Sequence, residues 1–175
     1  MSSSRLPGKA MLCFGDKPSL WHTVTRCQET GLPVVVATST DQTDDVIADY
    51  CVKQVWECFR GSLSDVVGRY HACASYYDFD PIIRVTADCP FVNPQVILDT
   101  LHSFTGVYAS YEGRKGWDCE VFSYRELVEA DDNGPDEHVT TYMRKGKSFE
   151  QPTGEPLVLD TLEDYVRLSA AIPTR

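Results

Sequence analysis

The seven cysteines, at 13, 27, 51, 58, 73, 89 and 119, include no C-x-x-C pair. Their number is odd and their spacing scattered, which argues against a zinc cluster or a disulfide framework. Most of them read as small buried hydrophobes of a reducing compartment. No apolar run approaches the ~18 residues of a membrane helix, and no secretory signal opens the chain, so a cytoplasmic protein without a membrane partner is expected. Basic residues are scarce: 16 Lys and Arg stand against 26 Asp and Glu, for a net charge of −10. That balance argues against a general nucleic-acid surface. An anionic ligand would therefore need a local basic pocket or a metal ion. Internal repeats and low-complexity tracts are also lacking. A length of 175 residues with 42% hydrophobic content suits one domain spanning 1–175 with a sizeable core.

What is present begins with Met1 to Lys9, M-S-S-S-R-L-P-G-K. Three hydroxyls, an arginine, a Pro-Gly turn and a lysine supply small side chains, loop N–H groups and two cations, the makings of an anion nest. It is not a Walker A loop: no Gly stands five residues before Gly8-Lys9, and no Ser or Thr follows the lysine. Taken alone, a Ser-rich terminus reads equally well as disorder.

Downstream, helical periodicity alternates with short β-branched runs. Helices are predicted over 18–30, 44–51, 64–77, 94–104, 124–130, 136–144 and 162–171. Strands are predicted over 34–38, 52–59, 82–86, 107–110, 119–122 and 157–159, the 34–38 run reading as buried on both faces. This alternation implies an α/β fold with a mostly parallel, mixed sheet flanked by helices. Ligands of such sheets bind at the carboxyl ends of the strands, which gives weight to polar residues just after each strand.

Asp88 follows the 82–86 strand in T-A-D-C-P, where Pro90 forces a sharp turn; it could equally be a turn former capping the next helix. Asp160 follows the 157–159 strand in L-D-T-L-E-D, a stretch that also reads as a capping box with Asp160 or Thr161 as N-cap and Glu163 in support. Two carboxylates from two strand ends, with triphosphate oxygens, would suit Mg²⁺. Asp65 and Arg69 stand at i,i+4, the spacing of a surface ion pair. Asp118 and Glu120 share one face of a strand, unfavourable unless a cation or sugar hydroxyls lie between them. Glu137 and His138 open a predicted helix, and no Ser or Cys nucleophile arrangement accompanies them.

Seven ordered blocks, spanning nearly the whole chain, carry a resemblance: S-S-S-R-L-P-G-K at 2–9, V-V-V-A-T-S-T at 34–40, F-R-G-S-L-S-D-V-V-G-R-Y at 59–70, R-V-T-A-D-C-P-F-V at 84–92, W-D-C-E-V-F-S at 117–123, D-E-H-V-T-T-Y at 136–142 and L-D-T-L-E-D at 159–164. In these the chain resembles the cytidylyltransferases of the spore-coat polysaccharide biosynthesis type, relatives of CMP-sialic acid and CMP-Kdo synthetases. The resemblance implies a Rossmann-like nucleotide-diphosphosugar transferase fold. It also implies transfer of CMP from CTP to the hydroxyl of an acidic sugar, a 3-deoxy-2-ulosonic acid, with Mg²⁺ as cofactor and pyrophosphate leaving. A homodimer is compatible with it.

By motif match, Ser3, Ser4, Arg5, Gly8 and Lys9 would bind the nucleotide, with Arg5 and Lys9 on the triphosphate. Asp88 and Asp160 would hold the metal, and Arg5, Lys9 and Asp88 would be catalytic. Arg60, Ser62, Asp65 and Arg69 would lie near the base, and Asp118, Glu120, Glu137 and His138 would line the acceptor-sugar side. The chain departs from the family in three ways. The apolar first strand before the phosphate loop is missing, the segment between Tyr142 and Leu157 is short, and Ala87 stands where Gly is common. The first two departures leave a second reading, a non-catalytic nucleotide-binding protein or an inactive shortened member. They also lead to the expectation that this is a shortened form of a longer protein, whose central slot is filled by a segment of a partner chain, closed by a shift of strands, or left so that the chain folds poorly with Met1–Leu6 unanchored.

Overall fold

The computed structural model describes residues 5–111, 113–134, 138–144 and 154–170. After a single 3₁₀ turn at Lys9–Met11, strands β1 (Cys13–Phe14) and β2 (Lys17–Pro18) form a small antiparallel hairpin. Helix α1 (Ser19–Gln28) leads to β3 (Val35–Ser39), α2 (Asp45–Gln54) and β4 (Glu57–Gly61). Next come α3 (Val66–Tyr77), β5 (Ile82–Arg84), α4 (Pro94–Ser103), β6 (Tyr108–Ser110), β7 (Glu120–Phe122), α5 (Tyr124–Asp132) and α6 (Leu162–Ala170). No described helix is long and apolar enough to cross a membrane.

The α/β architecture expected from the sequence is present, with strands grouped in two main sheets. β3 pairs parallel with β4, Val36 opposite Cys58 and Thr38 opposite Arg60. β5, β7 and β6 form an antiparallel sheet in that order, with Val121 of β7 opposite both Ile83 and Ala109. Among the described residues no hydrogen bond joins β3 to β5. Between them lies a cavity of about 460 Å³, walled by residues such as Val34, Val36, Tyr70, Ile83 and Val85. The 34–38 run is therefore half-buried rather than covered on both faces: Val35 to Ala37 keep some exposure, and only Thr38 and Ser39 are fully enclosed.

Three predicted elements differ in the structure. Residues 52–54 continue α2, which stops where Val55 takes a left-handed conformation at φ 58°. Val52 and Val55 are consequently exposed, and the strand starts only at Glu57. The described part of the predicted 136–144 helix, from 138 onward, is a run of turns. Residues 157–159 are extended without sheet pairing, and they strap two loops together: Leu157 N–H donates to the Lys115 carbonyl at 2.8 Å and Leu159 N–H to the Asp88 carbonyl at 2.7 Å. All seven cysteines are free, four of them buried. Among the described residues no cluster of three or more His, Cys, Asp or Glu side chains could hold a metal.

Candidate active site

The Leu159–Asp88 backbone bond explains how residues 72 apart in sequence come to one place. It pins the chain just before Asp160 against the loop that carries Asp88. Asp88 is not a helix cap, because α4 is capped by Asn93, whose side chain accepts from Gln95 N–H, with Pro94 at the first helical position. Nor does Asp160 cap α6. Thr161, the other candidate, is the cap: its Oγ1 accepts from Asp164 N–H at 3.2 Å, while Asp164 Oδ2 accepts in return from Thr161 N–H at 2.9 Å and from Asp160 N–H at 3.2 Å. The box is thus Thr161 to Asp164 rather than one supported by Glu163, and the Asp160 carboxylate is left to face inward.

Both inward carboxylates meet one ammonium. Lys9 Nζ lies 2.7 Å from Asp88 Oδ2 and 3.4 Å from Asp160 Oδ1. Arg5 Nη1 reaches Asp160 Oδ2 at 2.5 Å, and Thr86 Oγ1 donates to Asp88 Oδ1 at 2.5 Å. Gly8, at φ 73°, supplies the left-handed turn that sends Lys9 inward. Burial presses the Asp88 pKa upward, but Lys9 and the Thr86 hydroxyl outweigh it and hold the carboxyl below its ordinary value.

Beside this cluster is a pocket of about 330 Å³, lined by Asp88, Arg84, Lys115, Asp118 and Glu120 among others. Glu120 is nearly fully buried and already engaged. It takes Arg84 at 2.5 Å on one oxygen, and on the other Tyr108 Oη at 2.8 Å and Thr140 Oγ1 at 2.7 Å. Burial raises its pKa, and the Arg84 charge with these hydrogen bonds brings it back below the ordinary value. The sequence pattern asks for a cation or sugar hydroxyls between Asp118 and Glu120; on the Glu120 side Arg84 supplies positive charge. Asp118 accepts only from Gly116 N–H, at 2.8 Å, among the described residues. Its pKa is raised by burial, with the charges of Asp88 and Glu120 adding to the effect.

The residues expected near the base form a separate group at the ends of β3 and β4. Arg60 donates to the carbonyls of Ser39 and Asp41 and pairs with Asp45 at 2.7 Å, so it clamps the loop after β3. Asp65 makes no ion pair with Arg69; it caps α3 by accepting from Gly68 N–H. Arg69 instead donates to the Ser62 carbonyl, and the Ser62 hydroxyl accepts from Asp65 N–H. Gly61 and Gly68 permit this packing, since a Cβ on either would stand 2.7 Å from Arg69 Cγ or 2.3 Å from Asp65 Oδ2. His138 is exposed, on the turns after 138, and does not line the pocket. Ser3, Ser4 and Glu137 lie outside the described residues.

Sequence reasoning assigned no role to Arg84, Lys115, Tyr108, Thr140 or Asp164. Arg84 alone had a readable signal: it alternates with Thr86 along the predicted 82–86 strand just ahead of Asp88, which puts both on one face.

The family profile described as cytidylyltransferase matches residues 1–152. The spore coat polysaccharide biosynthesis protein SpsF of Bacillus subtilis is 30% identical over 200 residues, covering 97% of this chain and 82% of that protein. A cytidylyltransferase structure from Leptospira borgpetersenii superposes with TM-score 0.84 at 28% identity, covering 97% and 82%. A CMP:2-keto-3-deoxy-manno-octonic acid synthetase solved with CTP superposes with TM-score 0.72 at 14% identity, covering 97% and 93%, a likeness of fold.

Proposed function

The chain belongs to the cytidylyltransferase family, and from that premise we propose that it transfers CMP from CTP to a hydroxyl of an acidic sugar, a 3-deoxy-2-ulosonic acid, releasing pyrophosphate. The observation that carries this reading is the convergence of Asp88 and Asp160 on Lys9, with Arg5 beside them. Two carboxylates and two cations meet at one point, as a metal–triphosphate complex requires.

The donor set fits Mg²⁺, which is commonly held by one or two carboxylates together with substrate phosphates; Lys9 Nζ marks where a cation sits between them. When bound, such an ion would neutralise charge on the phosphate oxygens. Arg5 and Lys9 then hold the departing pyrophosphate through charge-assisted contacts. The 330 Å³ pocket flanks Asp88 and receives the acceptor. Its free carboxylate, Asp118, is available to a sugar hydroxyl, whereas Glu120 builds the wall. Arg60, Ser62, Asp65 and Arg69 shape the loops near the cytosine base. Transfer of this kind is mainly positioning and charge neutralisation, so no covalent enzyme intermediate is needed.

A second reading, a nucleotide-binding protein without catalysis, draws on the open cavity between β3 and β5. A pyrophosphate-release assay with CTP, Mg²⁺ and a panel of 3-deoxy-2-ulosonic acids separates the two. Release with at least one acid is expected. CTP binding without release for any acceptor would favour the second reading. Lys9→Ala is expected to weaken CTP binding roughly tenfold to hundredfold while barely changing cytidine binding; equal losses would mean a misfolded loop.

A further inference from the structure

All four oxygens of the Asp88–Asp160 pair are engaged. Asp88 Oδ1 accepts from Thr86, Asp88 Oδ2 and Asp160 Oδ1 face Lys9, and Asp160 Oδ2 faces Arg5. Three of the four thus rest on protein cations, and the two negative charges are balanced by two positive ones. Lys9 is the more enclosed cation, its side chain 21% exposed against 71% for Arg5.

We propose that Lys9 is a built-in counter-cation that keeps a divalent ion off the Asp88–Asp160 pair until a triphosphate draws its ammonium away. The proposal rests on the reading of that pair as metal ligands. A divalent ion binding alone would have to take carboxylate oxygens from Lys9 and Arg5 and leave two cations beside it, a like-charge arrangement. A triphosphate reverses this balance. Its oxygens are stronger partners for Lys9 and Arg5 than a shared carboxylate, and the ammonium needs only to swing on its flexible stem. The backbone need not follow, because Lys9 N–H is bonded to the Leu6 carbonyl and the Lys9 carbonyl accepts from Leu12 N–H. Metal and nucleotide binding are therefore coupled, and by linkage each strengthens the other by the same factor. The chain would discriminate against free divalent ions and load them together with nucleotide.

The test titrates Mn²⁺ into the nucleotide-free chain and follows free ion by electron paramagnetic resonance. Lys9→Gln should bind Mn²⁺ about tenfold or more tightly than the parent chain, within the usual range of coupling, and Lys9→Arg, which keeps the charge, should bind as weakly as the parent. No gain in Lys9→Gln, or an equal gain in Lys9→Arg, overturns the proposal. In the parent chain, metal-free inorganic tripolyphosphate should shift the Lys9 Nζ nitrogen resonance. Mg²⁺ alone, at a concentration that half-saturates Lys9→Gln, should leave it nearly in place; a shift as large as that with tripolyphosphate overturns the proposal independently of any variant. None of these readouts requires sugar or turnover, so absence of cytidylyl transfer would leave the inference standing. Adding Asp160→Asn to Lys9→Gln should abolish the gained affinity; if affinity persists, the metal-pair reading falls and the proposal with it.

Discussion

Asp118 and Glu120 stand two residues apart and carry the same charge, yet their surroundings push them in opposite directions. Glu120 is enclosed and held ionised by Arg84, Tyr108 and Thr140. Its folded pKa lies below the unfolded value, so its contribution is present above the unfolded value and is lost as pH falls through the lowered one. Asp118 has a folded pKa above the unfolded value, so its ionised form opposes folding at neutral pH, and that penalty disappears as pH falls. Asp118→Asn should therefore raise the melting temperature at pH 7, with the gain vanishing below about pH 4, near the unfolded carboxyl pKa. Thermal unfolding across pH 3.5–8 reads this directly; a loss of stability at pH 7 would mean that the Gly116 contact outweighs burial. Glu120→Ala should destabilise the chain by at most ~3–5 kcal/mol, because it strands Arg84, whose side chain is only 23% exposed, measurable by urea unfolding. The alternation of the two acids was legible in the sequence. The arginine that answers only one of them comes from β5, 36 residues away, and local pattern carries no sign of it.

At the scale of elements, helices with an amphipathic face and a stop signal were readable to within a few residues: α1, α3, α4 and α5 all lie inside or beside their predicted spans. The failures have local causes. Val52 and Val55 look like strand residues, but the helix runs on to Gln54 and leaves both in solvent. At α6 the sequence offered Asp160 or Thr161 as the cap; Thr161 takes it with Asp164 in support, which releases Asp160 for the site. Asp164→Ala should then do two things: cost ~1 kcal/mol as a lost half of the capping box, and weaken CTP binding in the presence of Mg²⁺ because Asp160 loses its fixed backbone. A stability loss with unchanged nucleotide affinity would show that the cap and the site are independent. Gly116 is a second hinge of the same assembly. It sits at φ 96°, and a Cβ there would meet the Leu157 carbonyl carbon at 2.4 Å. Gly116→Ala should detach the 157–159 strap, with a cost of ~1–3 kcal/mol from backbone strain and faster hydrogen exchange at Leu157 and Leu159.

For the whole molecule the central quantity is the cavity between β3 and β5. Only the resemblance pointed to a missing strand, with the slot filled, closed or left unfilled; composition and periodicity describe the strands that are present and say nothing of a gap between them. Its size matters. The 460 Å³ space is open to solvent, so its cost lies in the apolar walls from β3 and β5 that stay wetted rather than in a sealed void. The slot is also bordered by backbone. The edges of β3 and β5 that face it make no hydrogen bonds to one another, and groups that water reaches poorly there cost ~1–3 kcal/mol each. Low stability of the chain by itself is the first expected outcome. The second is that an apolar extended segment should be the most stabilising addition, because it supplies side chains for the cavity and N–H and C=O groups for both edges at once. Arg5 and Lys9 are already fixed at the Asp88 end of β5, so a five- to seven-residue apolar strand joined ahead of Met1 can lead into the loop they occupy. Fused to the chain, such a strand should raise the melting temperature by several degrees, at ~2–4 °C per kcal/mol for a chain of this size, and tighten CTP binding. A proline placed at its centre should abolish both gains by removing a ladder hydrogen bond. If the unextended chain melts cooperatively as a monomer at the same temperature and binds CTP equally well, the slot is closed in solution by a shift of strands, and the cavity does not limit stability.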